Sequence, residues 1–393
     1  MNKNLYATGG FPKGDDILLI KAATKKGEEA LRCWQEWSSR HVLETDVTLD
    51  RYRVLPFAYD NLSNNPAASG LVFPHGVEGA FKKTFFLNSL LLQHLVKTKA
   101  MLAGQGIPAM LLKGMAMIAS GLYPRMGSRF QFDYDILVPF DRKMDAIALF
   151  EKAGYKPYYE GGRDFHLRTS HSVGFTVPEM PKYGSFDVHW LPIALHKHHR
   201  TTDLFFQEKM EVNFHGHAFL VPPPELLFIQ TIVHGLRIEH TSHTQWACDT
   251  MAILANCPAF DWEKMARFSE VLQAGYFVQK ALAFLQRETG LELPPEAARV
   301  IQTIRTAMVE PFLFSFCNST QKGMADMFFW QLHESRQLQP EKQLPWHLLQ
   351  IIKAWRQSRH ELSVLGFVKL ALNRMVHLTR NTVPDYPAER QDR

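Results

Sequence analysis

The chain has 393 residues, of which 46% are hydrophobic and 21% are charged. This composition supplies a large apolar core, and it excludes a disordered or low-complexity chain. Lys and Arg outnumber Asp and Glu by 44 to 39, and the resulting net charge of +5 is too small to require a nucleic-acid partner. The four scattered cysteines exclude a disulfide framework and a zinc site of paired CxxC motifs.

Targeting signals are also missing from the sequence pattern. The N-terminal residues lack the apolar stretch of a secretory signal, and no run of about twenty apolar residues would span a membrane. We therefore expect a soluble, cytoplasmic protein without a membrane partner.

The first region, 1–105, has mostly helical periodicity. Apolar residues recur at helical spacing over 17–37 and again over 80–104, where there is no proline and a glycine closes the segment. Between them, 48–70 begins as a short amphipathic stretch and then becomes rich in Asn, Pro, Ser and Gly, which is typical of a loop.

The second region, 106–221, alternates between strand and helix patterns. A buried strand is predicted at 107–114, a short helix at 115–123, a strand at 131–138 and a helix at 141–155. Three further strands are predicted in 155–191 from their aromatic and β-branched residues. This order predicts a mixed sheet with helices on one face.

The third region, 222–393, is again helical. A helix is predicted from Pro224, because Pro and Glu are favoured at helix starts, and further helical patterns cover 246–256 and 262–290. The polar tail 382–393 is expected to fray. The fold class is therefore α+β: a small mixed-sheet core (106–221) between a helical N-terminal region (1–105) and a helical C-terminal domain (222–393).

The most informative residues are two aspartates in the strand 131–138. Asp133 and Asp135 are two positions apart, so they lie on the same face of a strand. Two neighbouring carboxylates in a mostly apolar strand repel each other unless a cation neutralises them, and Mg²⁺ is the natural candidate. The alternative is a solvated strand end, where the pair has no function.

A third carboxylate, Asp187, lies in another predicted strand. If that strand pairs next to the first, Asp187 completes a cluster that can hold two metal ions and accept the proton of an attacking hydroxyl. The alternative is an aspartate that caps a backbone group near a turn. We expect the neighbouring His189 to point to the opposite face of this strand and to pack in the core.

Lys113 and Gly114 stand where a buried strand passes into a helix. A glycine there allows the backbone to approach a phosphate, the helix start offers free N–H groups, and Lys113 adds a positive charge. The pair is too short to be a P-loop, and the chain contains no GxxxxGK[ST] motif.

Together these motifs resemble the uncharacterised nucleotidyltransferase family of the polymerase-β-like superfamily. The likeness extends over about residues 50–295 and includes the helix at 53–62. Its motif residues here are Lys113-Gly114, Tyr123-Pro124, Arg129, Asp133, Asp135, Leu137-Val138, Gly154-Tyr155, Asp187-Val188-His189-Trp190, His234-Gly235, Trp246 and Asp249.

The resemblance implies a nucleotidyltransferase fold and mechanism. Asp133 and Asp135 would bind Mg²⁺, which would hold the β- and γ-phosphates of a nucleoside triphosphate. Asp187 would complete the metal site and help to deprotonate an acceptor hydroxyl. Lys113, Gly114 and Arg129 would contact phosphates. The acceptor is unidentified and could be a small molecule, a sugar, a peptide or a protein.

Several alternatives stay open at this stage. Arg129 has the alternative of a salt bridge, and His234, Trp246 and Asp249 either pack between helices or line the acceptor pocket. One rival function is a catalytically silent protein that binds a nucleotide or a partner. Another is an enzyme that adds nucleotides to RNA ends. Such an enzyme would need a basic groove lined with aromatic side chains, and the nearest candidate for it in the sequence is the short stretch 196–200.

Overall fold

The structure of the protein, a computed structural model, describes residues 10–43, 45–159, 162–177, 184–237, 243–319, 324–338 and 341–358. The chain divides into two compact units, Met1–Thr320 and Gln321–Arg393. The first unit contains the sheet, the helices that precede it in the sequence and helices that follow it. The region boundaries at 105 and 221 stay predictions, and the tail 382–393 lies outside the described residues.

Helices precede the sheet, as the apolar spacing predicts. The stretch 17–37 is not one helix but parts of two, because Lys25 and Lys26 both adopt extended backbone and turn the chain. Part of the segment predicted as a loop is also helical. The helices are α1 (Asp15–Thr24), α2 (Gly27–Arg40), α3 (Leu49–Tyr52), α4 (Leu55–Ser63) and α5 (Val77–Gly104).

Within the described residues, seven strands form one mixed sheet, which confirms the predicted fold class. Their order is β3-β4-β5-β2-β1-β7-β6, with β2 parallel to β5 and β1 parallel to β7, and the other neighbouring strands are antiparallel. The strands are β1 (Met110–Leu112), β2 (Asp133–Leu137), β3 (Lys156–Tyr158), β4 (Ser172–Thr176), β5 (Ser185–His189), β6 (Met210–Phe214) and β7 (His217–Val221). The helices between them are α6 (Lys113–Ala119), α7 (Lys143–Lys152), α8 (Arg163–Thr169) and α9 (Arg200–Gln207).

One face of the sheet centre packs against α5 and α7. Tyr134 of β2 and Phe186 of β5 stack with their ring centres 5.4 Å apart. His94 of α5 lies 2.5 Å from the Tyr134 hydroxyl, and Phe150 of α7 packs 5.0 Å from Phe186. Because side chains alternate along a strand, the residues on either side of Tyr134 and Phe186 point to the opposite face.

Helices also follow the sheet. The segment 262–290 is divided into two helices where Gln273 adopts a left-handed backbone with φ 50°. These helices are α10 (Pro224–Gly235), α11 (Gln245–Asn256), α12 (Trp262–Val271), α13 (Gly275–Thr289), α14 (Pro295–Thr303) and α15 (Glu310–Asn318).

The described part of the second unit consists of α16 (Met324–Leu338) and α17 (Leu344–Ser358), which pack against each other. Ser335 Oγ and His347 Nδ1 lie 2.7 Å apart between them. Across the described residues of both units, no helix combines the length and the apolar character that crossing a membrane requires.

Candidate active site

The sheet brings the three predicted carboxylates to one face. Strands β2 and β5 are parallel neighbours, and their register places Asp135 directly beside Asp187 and Asp133 beside Ser185. Asp133, Asp135 and Asp187 therefore point away from the face that Tyr134 and Phe186 pack against α5 and α7. Asp135 is 5% exposed, whereas the other two are partly exposed.

Lys113 enters this face from the end of β1. Its backbone is left-handed with φ 48°, a conformation that costs energy for a residue with a side chain. The N–H of Lys113 donates to Gln230 Oε1 at 3.2 Å, and the Gln230 amide donates to the Pro192 carbonyl at 2.8 Å. From this fixed backbone, Lys113 Nζ donates to Asp135 Oδ1 at 2.6 Å.

His189 also belongs to the carboxylate cluster, and the expectation that it points to the opposite face is wrong. Asp187 and His189 are two positions apart on β5, so a strand places them on the same face. His189 Nε2 lies 2.8 Å from Asp135 Oδ1 and 3.9 Å from Asp187 Oδ2. The imidazole is fully buried beside the two carboxylates.

The carboxylates have strongly divergent proton affinities. Burial and the charge of Asp135 raise the pKa of Asp187 to about 7, and the same two causes raise the pKa of Asp133. Burial also disfavours the charged form of Asp135, but the Lys113 ammonium and the contact with His189 outweigh it, so this pKa lies below its usual value. Two of the three carboxylates thus hold a proton more tightly than usual, next to one that the Lys113 ammonium neutralises.

These side chains also form a possible ligand set for a cation. Asp135, Asp187 and His189 each offer one ligand atom, and the three atoms lie within 4.8 Å of one another. Carboxylate oxygens suit hard cations such as Mg²⁺, and an imidazole nitrogen also suits transition metals. A cation would relieve the repulsion that raises the pKa of Asp187, so the residues present fit a divalent metal.

Arg129 is anchored by a residue of the C-terminal helices. Its Nε and Nη2 donate to the two carboxylate oxygens of Asp249 at 2.9 and 2.8 Å, and the Tyr123 hydroxyl donates to Asp249 Oδ1 at 2.5 Å. The salt bridge that the sequence leaves as the alternative for Arg129 is therefore present. Burial opposes the charge of Arg129, but Asp249 outweighs this effect and raises the pKa of the guanidinium.

The position of Arg129 explains the glycine at 114. A Cβ atom added to Gly114 would lie 1.9 Å from Arg129 Nη1 and 2.2 Å from Gln131 Oε1. Only a residue without a side chain leaves room for this close approach. The sequence suggests that a phosphate approaches the backbone at Gly114. In the structure, the guanidinium group of Arg129 makes this close approach.

Comparisons with known proteins identify the family. A profile described as "Uncharacterised nucleotidyltransferase" matches residues 47–289, which is more than half of the chain. The chain belongs to this family. Among solved structures, it is similar to an antigenic nucleotidyltransferase-like protein from Paracoccidioides brasiliensis, at 13% identity and a TM-score of 0.33, over 56% of this chain and 94% of that one. No curated protein matches.

Other motif residues of this nucleotidyltransferase family lie in α10 and α11. A Cβ atom on Gly235 would lie 2.2 Å from Trp246 Cβ, so this glycine allows the two helices to pack closely. His234, one residue earlier, lines a cavity together with Lys113, His171 and His189. Trp246 and Asp249 are therefore structural contacts between elements, whereas His234 borders the carboxylate face.

The short basic stretch 196–200 is only partly exposed. Lys197 is 9% exposed, and its Nζ donates to the Thr169 carbonyl at 2.6 Å. The rings of His198 and His199 stack with their centres 4.5 Å apart, and burial lowers the pKa of His198 below its ordinary value. This geometry adds no support to the RNA-end alternative for this member of the nucleotidyltransferase family.

Proposed function

We propose that this protein is a divalent-metal-dependent enzyme that transfers a nucleoside monophosphate from a nucleoside triphosphate to a hydroxyl of an acceptor. One observation carries the proposal: Asp133, Asp135 and Asp187 share one face of two paired parallel strands. The raised pKa values of Asp133 and Asp187 support it further, because a cation is the simplest partner for carboxylates that repel each other.

The three carboxylates are the proposed ligands of the metal, and His189 offers a further ligand atom within 4.8 Å of those of Asp135 and Asp187. When bound there, Mg²⁺ would supply positive charge that stabilises the phosphate oxygens during displacement. The chain itself positions the ligands through the in-register pairing of β2 and β5. Preorganised charge of this kind is the main source of rate acceleration in phosphoryl transfer.

The proposed reaction uses Asp187 as the proton acceptor. Its carboxylate takes the proton from the acceptor hydroxyl, and the hydroxyl oxygen forms a bond with the α-phosphorus. The bond between the α-phosphorus and its bridging oxygen breaks, and pyrophosphate leaves with the electron pair. A carboxylate within hydrogen-bond reach of the attacking hydroxyl can act as its general base.

Lys113, Gly114 and Arg129 are the proposed phosphate contacts. Lys113 Nζ already lies at the carboxylate face, where it is paired with Asp135. Arg129 would contribute through Nη1, because its Nε and Nη2 are bound to Asp249. The acceptor, whether a small molecule, a sugar, a peptide or a protein, would approach from the open side of this face.

A second candidate is supported by the same ion pair. The ammonium of Lys113 neutralises Asp135 at 2.6 Å, so the chain supplies a cation of its own at the site. A silent protein that binds a nucleotide or a partner without catalysis would retain such a pair. The two candidates differ in whether nucleotide binding requires both a metal and Asp135.

Thermal unfolding with Mg²⁺ and each of the four nucleoside triphosphates tests the proposal. A ligand at one hundred times its dissociation constant stabilises the folded state by about 2.7 kcal/mol. We expect a rise in the unfolding midpoint that needs both metal and nucleotide, that is absent in Asp135→Asn and in Asp187→Asn, and that persists in the exposed control Asp141→Asn.

The nucleotide that stabilises the protein is then used to measure pyrophosphate release in the presence of candidate acceptors. Release that is lost in Asp187→Asn supports the transfer reaction. A nucleotide-dependent stabilisation that is unchanged by chelation and by Asp135→Asn would contradict the proposal and favour the silent binding protein.

A further inference from the structure

A second arginine lies beside the carboxylate cluster, contributed by the helices that precede the sheet. Arg53 directly follows α3, where its backbone N–H caps the helix end. Its guanidinium carbon lies 5.4 Å from the ring centre of Phe132, the residue immediately before Asp133. The chain thus brings a cation from 80 residues upstream to the entrance of the first carboxylate strand.

The side chain of Arg53 has an unsatisfied hydrogen-bond donor within the described part of the chain. Its Nε is buried without a hydrogen bond, and within the described residues the guanidinium forms no ion pair. Arg51, two residues earlier, differs because its Nε donates to Asp16 at 2.7 Å, and Arg129 is held by both oxygens of Asp249. Leaving a buried N–H donor without a partner is costly, so the unsatisfied Nε at this position needs an explanation.

The electrostatic surroundings agree with this geometry. Burial lowers the pKa of Arg53 below its ordinary value, although the carboxylates of Asp50 and Asp133 act in the opposite direction. Phe132 contributes a ring face that attracts the cation but leaves its N–H groups unused. The missing partner is therefore an oxyanion, because a guanidinium presents a planar set of donors that matches phosphate or carboxylate oxygens.

We propose that Arg53 binds a phosphate group of a substrate at the carboxylate face, as a positioning residue supplied by the helical N-terminal region. The inference rests on the proposed function, which places a polyphosphate next to Asp133. Arg53 and Lys113 would then contribute the two positive charges nearest to the cluster. The phosphate belongs either to the nucleotide donor or to a phosphorylated acceptor, and binding measurements separate these sources.

The test compares Arg53→Gln and Arg53→Lys with the matched control Arg51→Gln in the full-length protein. Calorimetric titration in Mg²⁺ with tripolyphosphate and with a nucleotide analogue that cannot be cleaved at the α-phosphorus measures the donor contact. Titration with inorganic phosphate in the presence of saturating analogue measures a second phosphate site. Thermal unfolding without ligand reports the structural contribution of each arginine.

We expect Arg53→Gln to weaken tripolyphosphate and analogue binding at least about tenfold, as the loss of a charge-assisted hydrogen bond does. Arg53→Lys should retain part of the affinity, and Arg51→Gln should bind within about twofold of the unaltered protein. Without ligand, Arg53→Gln should unfold at the same or a higher temperature, whereas Arg51→Gln should unfold at a lower one because it loses its ion pair.

Other results would show whether the inference about Arg53, the proposed function or both are wrong. If only inorganic phosphate binding weakens in Arg53→Gln, the phosphate comes from the acceptor and the inference stands. Unchanged affinity for all three probes, with a lowered unfolding temperature, would overturn it and leave Arg53 as a packing residue against Phe132. A protein that binds tripolyphosphate through Arg53 but never transfers a nucleotide would overturn the proposed function alone, and one that binds no polyphosphate would overturn both.

Discussion

Breaking the ion pair between Arg129 and Asp249 tests whether these motif residues hold the architecture together. Both side chains are largely buried, with 11% and 6% of their side-chain surfaces exposed. The pair is bidentate, and Asp249 also accepts the hydroxyl of Tyr123. In Asp249→Asn the guanidinium loses its counter-charge but remains buried, so the folded state loses stability.

The size of this effect follows from the burial. Removing one partner of a buried ion pair typically costs about 3–5 kcal/mol, because the other charge is left uncompensated. At about 2 °C per kcal/mol for a unit of this size, the unfolding midpoint should fall by about 6–10 °C. An exposed pair provides the matched control: Arg142 and Asp145 have 34% and 60% of their side-chain surfaces exposed. Asp145→Asn should therefore cost only about 0–1 kcal/mol.

The assay is thermal unfolding of Arg129→Gln, of Asp249→Asn and of the double variant. Because the two residues share one network, the double variant should lose at least about 1 kcal/mol less than the sum of the single losses. Single losses below about 1 kcal/mol, or strictly additive ones, would refute the view that the pair is structural. If Arg129→Gln is stable but binds tripolyphosphate more weakly, phosphate contact is the main role of this arginine.

Two further predictions concern stability. The folded protein raises the pKa of Asp187 to about 7, above its unfolded value, so the unfolded state loses this proton first as the pH rises. The free energy of unfolding of the metal-free protein should therefore fall between about pH 4 and pH 7 and then level off. Denaturant titrations across this range should show a smaller fall in Asp187→Asn. In Gly235→Ala the new Cβ would meet Trp246 at 2.2 Å, which should cost about 1–3 kcal/mol. Gly79→Ala in α5, where nothing lies within 4 Å of the new Cβ, should be neutral or stabilising, and equal effects of the two changes on the unfolding midpoint would contradict the packing argument.

Local sequence patterns predicted the part of the site that lies within single strands. The alternation around Asp133 and Asp135 places both carboxylates on one face, and the structure pairs their strand with that of Asp187. The same alternation rule also places His189 beside Asp187, so the missed imidazole was available from the sequence. The packing interpretation rested on placing His189 on the opposite face of the strand, whereas the register brings it within 2.8 Å of Asp135.

The hairpin of β6 and β7 was not predicted, although a local signal for it exists. His215 and Gly216 separate the two strands, and both have a left-handed backbone, with φ 49° and 79°. A two-residue loop of this kind, with glycine in its second position, is typical of tight hairpins.

Contacts between distant segments could not be predicted from local patterns. Asp249 is 120 residues from Arg129, and Arg53 is 80 residues from Asp133. Nothing in the spacing of either pair indicates proximity, because the path of the chain between them passes through several helices and strands. Only the packed structure separates an arginine that is paired with a carboxylate, such as Arg129, from one whose buried Nε has no partner among the described residues, such as Arg53.

Gln230 and the motif residue Arg129 explain how the strained backbone of Lys113 is maintained. Gln230 holds the N–H of Lys113, and Arg129 packs onto the following Gly114 with no space for a Cβ atom. A left-handed backbone at a residue with a side chain persists only where neighbours over-determine it, and here α10 and the anchored arginine do so from two sides. This backbone directs the ammonium of Lys113 at Asp135, where the proposed reaction needs a positive charge to contact phosphate.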